Sequence, residues 1–163
     1  DHGRTADNGK GHGGQSDRER DTWIVTNAKG LNNYFKTGNP GVVDIMPSIA
    51  SFLNIDIPKE QLMETDGIPL TGTISATSAN AMLDNGKLKV IWKAVNRKGN
   101  AKVWLTTTNH FKEGGKDEYS LVATVSLAKQ EAVIDVSNKP SSFYKIVIEA
   151  PENMLNRWVA ERK

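Results

Sequence analysis

The sequence predicts a mixed α/β piece over residues 1–71, followed by an all-β sandwich of seven short strands over residues 72–163. Three observations carry that reading. Apolar residues recur at helical spacing before Thr73 and at a period of two after it. Turn signals cut the second part into short runs: DNG at 84–86, RKGN at 97–100, EGGKD at 113–117, NKPSS at 138–142 and PEN at 151–153. The charge balance changes at the same place, from seven basic against ten acidic residues up to position 71 to fourteen against nine beyond it.

The elements follow in order. Residues 1–21 are polar and rich in glycine, and TWIVT (Thr22 to Thr26) is a short apolar, β-branched run consistent with a buried strand. After a loop of Asn, Gly and Lys comes DIMPSIASFLNI, in which Ile45, Met46, Ile49, Phe52 and Leu53 recur at helical spacing. Asp44 is expected as its N-cap, and Pro47 falls in the first turn, where its missing N–H has no intrahelical partner to lose. The face of Ile45, Ile49 and Phe52 is expected to pack into a core. IDIPKEQLMETDGIPLTG reads as a loop with a brief extended piece, and the boundary between the two parts falls near Leu70 to Thr73. A first strand is expected within Thr73 to Leu83. Others follow at Leu88 to Ala94, Ala101 to Thr107, Tyr119 to Leu127, Glu131 to Val136, Phe143 to Ala150 and Asn156 to Ala160.

Composition narrows the function classes. The chain of 163 residues is 37% hydrophobic and 25% charged, which suits a folded rather than a disordered protein. No apolar run approaches the roughly 18 residues of a membrane helix. With no cysteine, there is neither a disulfide framework nor a thiolate metal site, so His and carboxylates are the strong ligands. No basic run or basic–aromatic stripe points to nucleic acid. Residue 1 is Asp and no charged-then-apolar leader follows, so the chain is read as a fragment of a longer protein.

The opening DHGRTADNGKGHGG places two carboxylates, two imidazoles and five glycines ahead of any hydrophobic run. GKGHGG satisfies the dinucleotide pattern G-x-G-x-x-G, but it neither follows a buried strand nor opens an apolar helix, so a nucleotide cofactor is set aside. Asp1, His2 and His12 offer oxygen and nitrogen ligands of the kind that hold Zn²⁺ or Mn²⁺, and the glycines permit the turns that would bring them together. On spacing alone, a flexible tail or tag remnant is the favoured account of them. SDRERD (Ser16 to Asp21) reads as a solvated turn, with substrate contact from Arg18 or Arg20 as the alternative.

Taken together, Asp1-His2-Gly3, His12-Gly13, Thr22 to Thr26, Val43-Asp44-Ile45-Met46-Pro47-Ser48, Ile57-Pro58 and Asp66-Gly67 resemble the C-terminal end of the alkaline phosphatase superfamily. The likeness is greatest to its phosphodiesterase and nucleotide pyrophosphatase-like members. It departs at Ser48, where Thr is usual, and at Thr22-Trp23, which replaces a proline-led start to the strand. The resemblance implies that Asp1 and His2 serve one divalent metal and His12 its partner, zinc being the expected ion and manganese the alternative. Two such ions about 4 Å apart bind a phosphoryl oxygen, activate the nucleophile and stabilise the leaving oxygen. In the resembled enzymes the nucleophile, a Thr or Ser, and further ligands lie upstream of these motifs. The implied parent is a two-metal phosphoric ester hydrolase, periplasmic or secreted, and the fragment alone is expected to be inactive.

The second part resembles a fibronectin type III or related immunoglobulin-like module. LKVIWKAV matches the second strand with its inward Trp92, YSLVATVS the middle strands, and SFYKIVIEA the sixth, with Tyr144 where a corner tyrosine stands. Trp92, Ile146 and Ile148 are expected in the core, and His110 at the rim. Trp104 has the opposite parity to Val103 and Leu105, so it or Trp158 is either a half-buried packing residue or an outward platform for glycan. Two other readings therefore stand beside the hydrolase: a glycan- or protein-binding sandwich with an inert N-terminal remnant, and a structural spacer.

Overall fold

Among the described residues, those with period-two patterning form seven antiparallel strands in two sheets. The structure, a computed structural model, describes residues 3–160. The strands are β1 (Ala76–Asp84), β2 (Lys87–Ala94), β3 (Asn100–Thr106), β4 (Ser120–Ser126), β5 (Glu131–Asp135), β6 (Phe143–Glu149) and β7 (Met154–Ala160). One sheet has the order β1-β2-β5 and the other β4-β3-β6-β7. The DNG signal makes the tightest connection: Asp84 pairs with Lys87, and Asn85 and Gly86 both take positive φ (48° and 71°). Positive φ at both central residues matches the twist of a two-residue hairpin, and glycine reaches it without a Cβ penalty.

Inward residues of the two sheets meet as expected. Leu88, Val90 and Trp92 from β2 face Val103 from β3 and Ile146 and Ile148 from β6 in one buried cluster. Trp92 donates its indole N–H to the Leu127 carbonyl at 3.0 Å, so its burial leaves no polar atom unsatisfied. Tyr144 turns its hydroxyl back to the Lys139 carbonyl (2.7 Å) and accepts from the Ser141 amide (3.1 Å), closing the loop ahead of β6.

β6 departs from simple alternation. Its residues Tyr144 to Ile148 are buried on both parities. Inward Tyr144, Ile146 and Ile148 meet the core; outward Lys145 and Val147 are covered by a second layer. That layer is the segment before the sandwich, where a four-residue helix, Lys59–Leu62, replaces the brief extended piece expected there. Met63, Ile68, Leu70 and Ile74, which follow it, are buried, and Ile68 and Ile74 belong to the sandwich cluster itself.

The leading part contains α1 (Asp17–Arg20), α2 (Asn33–Thr37) and α3 (Ile45–Phe52); the strap helix Lys59–Leu62 is α4. Two expectations are corrected here. Thr22 to Thr26 is not a buried strand: Thr22 makes an isolated bridge, Trp23 and Val25 are 64% and 82% exposed, and no ladder among the described residues takes in 23–27. A strand needs a neighbour to pair its N–H and C=O groups, and the described chain brings none alongside. Nor is the apolar face of α3 core. Pro47 and Ala50 are buried, whereas Ile49 and Phe52 are 53% and 61% exposed, because the chain covers only the opposite side of the helix.

Candidate functional site

The loop that carries His12 is held by its own backbone and by two side chains. Thr5 donates its amide to the Gly11 carbonyl at 2.9 Å, and the Gly3 amide reaches the Asp21 carbonyl at 2.8 Å. Asn8 Oδ1 accepts from the Lys10 amide at 2.8 Å, folding the turn between them. Beyond His12, Ser16 caps α1 by accepting from the Glu19 amide, while the Glu19 carboxylate accepts from the Ser16 hydroxyl (2.6 Å) and the Gly14 amide (3.0 Å). Ser16 and Glu19, three residues apart, thus fasten the start of α1 to each other and to Gly14. The hydroxyl of Ser16 contributes most to holding the Glu19 carboxyl below its ordinary range, ahead of the Gly14 amide. His12 is therefore presented, exposed, on a short loop tied at both ends.

Asp1 and His2, the other two expected ligands, lie outside the described residues. Among the described residues no group of three His, Asp or Glu side chains stands together. His12 is one donor from the expected set, and one imidazole does not make a cation cage. No catalytic step is derived through a metal on these residues. Arg18 and Arg20 are exposed in α1, with Arg20 pairing to Asp17 at 2.5 Å, in keeping with the solvated reading of SDRERD.

The motif residues farther along serve the backbone. Asp44 is buried, and its carboxylate accepts from the Gly41 amide (2.8 Å) and the Ile68 amide (2.8 Å). Asp44 stands at the N-cap position of α3 without capping it through its side chain, which corrects the role expected of it. The carboxylate instead joins the turn ahead of the helix to the DGIPL segment 24 residues on. Ser48 extends the seam: its hydroxyl donates to the Asp44 carbonyl (2.5 Å) and accepts from the Leu70 amide (2.8 Å). At Gly67, a Cβ would stand 2.0 Å from the Val43 carbonyl oxygen, so only glycine lets the two segments approach this closely. Asp44, Ser48 and Gly67 are thus a structural seam, which accounts for the spacing of the motif.

The most concentrated chemistry lies between the leading part and the sandwich. Lys145 is fully buried on the outward side of β6 and donates to Glu64 and, at 2.7 Å, to Asp117. Tyr119 donates its hydroxyl to Glu64 Oε1 at 2.9 Å. Asp117 also accepts from the Thr108 hydroxyl (2.6 Å) and the His110 amide (2.8 Å). Burial pushes the Asp117 carboxyl up, but the bonds from Lys145, Thr108 and the loop amides outweigh it and hold the group well below the usual carboxylate range. Burial also pushes the Tyr119 phenol far above its ordinary value, with the adjacent Glu64 charge acting in the same direction. Asn156 donates from Nδ2 to the Met63 carbonyl, tying the same segment to β7.

Sequence reasoning missed this cluster. The available signal was the run YKIVI, which is apolar on both parities apart from Lys145, a pattern of strands covered on two faces. Of the two Trp residues considered as platforms, Trp104 is half-buried. Its indole N–H donates to Glu149 at 2.7 Å, and the Lys59 amine lies 4.6 Å from its ring centroid. Trp158 is half-exposed and stacks on Phe143 at 5.8 Å. His110 is an exposed residue opening a single 3₁₀ turn at the rim. No protein-family model matches the chain, and no curated protein matches it. Among the described residues, no helix is long and apolar enough to cross a membrane.

Proposed function

We propose that residues 1–71 are the C-terminal part of a metal-dependent phosphoric ester hydrolase of the alkaline phosphatase type, and that residues 72–163 are a fibronectin type III-like accessory domain. One observation carries the first half: the leading part exposes more apolar surface than a finished domain leaves open. Ile24, with Ile45, Ile49 and Phe52 of α3, lines an open groove of about 240 Å³, and Trp23 and Val25 on either side of Ile24 in the chain stand exposed. A single exposed leucine means nothing, but a contiguous apolar patch marks a surface that other polypeptide covers. The loop of His12 lies shortly before Trp23 in the chain, at the position the resemblance gives to a metal ligand.

Bound divalent ions would supply a Lewis acid for the phosphoryl oxygen and a nucleophile of lowered pKa. This chain's contribution is a donor on a tied loop, beside the seam of Asp44, Ser48 and Gly67 that joins α3 to the DGIPL segment. The fragment is inactive alone, since the nucleophile and the remaining ligands lie elsewhere in the parent. A periplasmic or secreted setting and a phosphate-ester substrate follow from the same resemblance. For the second half, the support is the pairing of a β1-β2-β5 sheet with a β4-β3-β6-β7 sheet, the inward Trp92, and the back-bonded hydroxyl of Tyr144.

Calorimetric titration of the purified chain with Zn²⁺ and with Mn²⁺ tests the ligand assignment. Weak binding is expected, abolished by the double change His2→Ala, His12→Ala, with no turnover of a chromogenic phosphate ester. Tight binding that survives both substitutions would overturn it, as would hydrolysis by the chain alone.

A further inference from the structure

Outward faces of a sandwich normally meet water, and their residues are polar. Here the outward face of β3, β6 and β7 presents Trp104, Lys145, Val147, Glu149 and Asn156, of which Lys145, Val147 and Asn156 are fully buried. The stretch 58–66 meets Lys145 and Asn156 on this face, and it is fastened at both ends. At one end, Lys59 pairs with Glu149 at 3.0 Å and lies over the Trp104 ring. At the other, Glu64 meets Lys145 and Tyr119, while the buried Met63 between them gives its carbonyl to Asn156.

We propose that this sheet face is a dedicated seat for residues 58–66, with the Glu64–Lys145–Asp117 cluster setting its register, so that the sandwich acts as a rigid brace for the leading part rather than as a freely tethered binding module. The argument rests on how poorly the alternatives suit these residues. A lysine with no exposed side-chain surface is costly unless its charge is matched, and Asp117 alone would match it on the sandwich. Glu64 comes from outside the sandwich, and Tyr119 donates to Glu64 and to no other carboxylate. Shifting the stretch by one residue would withdraw Glu64 from Lys145 and turn Met63 from its place against β7. A shifted arrangement keeps the Lys145–Asp117 pair but takes the acceptors from the Tyr119 hydroxyl and the Asn156 amide, and the observed register supplies both. An open glycan platform on this face is disfavoured by the same contacts, since Trp104 has its N–H committed and a lysine over its ring. The inference does not depend on the hydrolase reading and stands or falls separately from it.

Hydrogen exchange and ¹⁵N relaxation on the intact chain test it. In the unaltered protein, residues 30–50 and 88–106 are expected to share one tumbling time, and two distinct times would refute the brace. The amides of Leu62, Met63 and Glu64, bonded within a single turn, owe their protection to docking, because so short a helix has little stability of its own. Glu64→Gln keeps the shape and removes the charge. It is expected to speed exchange at 62–64 by about tenfold or more while leaving Val90 and Trp92 unchanged. Lys145→Met provides a second variant and is expected to act on the same amides. Unaltered exchange at 62–64 in both folded variants would overturn the proposal, as would an equal rise in β2, since either means that the cluster sets no register.

Discussion

Replacing Asp44 with alanine isolates the seam between the helix α3 region and the DGIPL segment. The carboxylate is buried and accepts two backbone amides, Gly41 and Ile68, each at 2.8 Å. A hydrogen bond to a charged group contributes about 1.5–3 kcal/mol, and a buried donor left without its acceptor forfeits a comparable amount. The Ile68 amide is wholly enclosed and the Gly41 amide is partly so, which places the expected loss at about 3–5 kcal/mol. Asp44→Asn should cost less, since its amide oxygen keeps one acceptor. Urea unfolding followed by circular dichroism measures the loss, and hydrogen exchange at Ile68 locates it. A loss below about 1 kcal/mol with Ile68 still protected would show that the carboxylate is not what joins these segments.

Three further outcomes are expected. Tyr144→Phe removes a hydroxyl that both donates to Lys139 and accepts from Ser141, so it should lower stability by about 1–3 kcal/mol in the same urea assay without altering the strand content. The Asp117 carboxyl is held below its unfolded value, so its stabilising contribution is complete above about pH 5 and is lost as pH falls through the unfolded value toward the folded one; Asp117→Asn should flatten the acid limb of a stability-against-pH curve by about one proton. Changing Trp23 or Ile49 to serine should shift stability by no more than about 0.5 kcal/mol, because both are more than half exposed, and should reduce self-association measured by sedimentation.

Legibility differed between the two parts for a physical reason. In the sandwich, each strand has one inward and one outward face, so alternation in LKVIW or AKVWL translates directly into burial, and DNG placed the first hairpin through its demand for positive φ. The leading part offered equally apolar runs, TWIVT and IMPSIASF, yet Trp23, Val25, Ile49 and Phe52 within them stand open to solvent. A pattern reports that a residue needs an apolar neighbour; it does not report whether the neighbour is in the same chain. Of the residues singled out, His12 falls on a tied loop, Asp1 and His2 lie outside the described residues, and Asp44 does structural work other than the helix cap its position suggested.

Local pattern alone determined the seven strands, their turns, the inward Trp92 and the place of α3, since each depends on residues close together in the chain. Only the tertiary structure decided that Lys145 is enclosed, because its charge is matched by Glu64 and Asp117, 81 and 28 positions away. Pairings over such distances leave no periodic trace. They exist only once the segment 58–66 is laid across the sheet and the water around the lysine has been excluded.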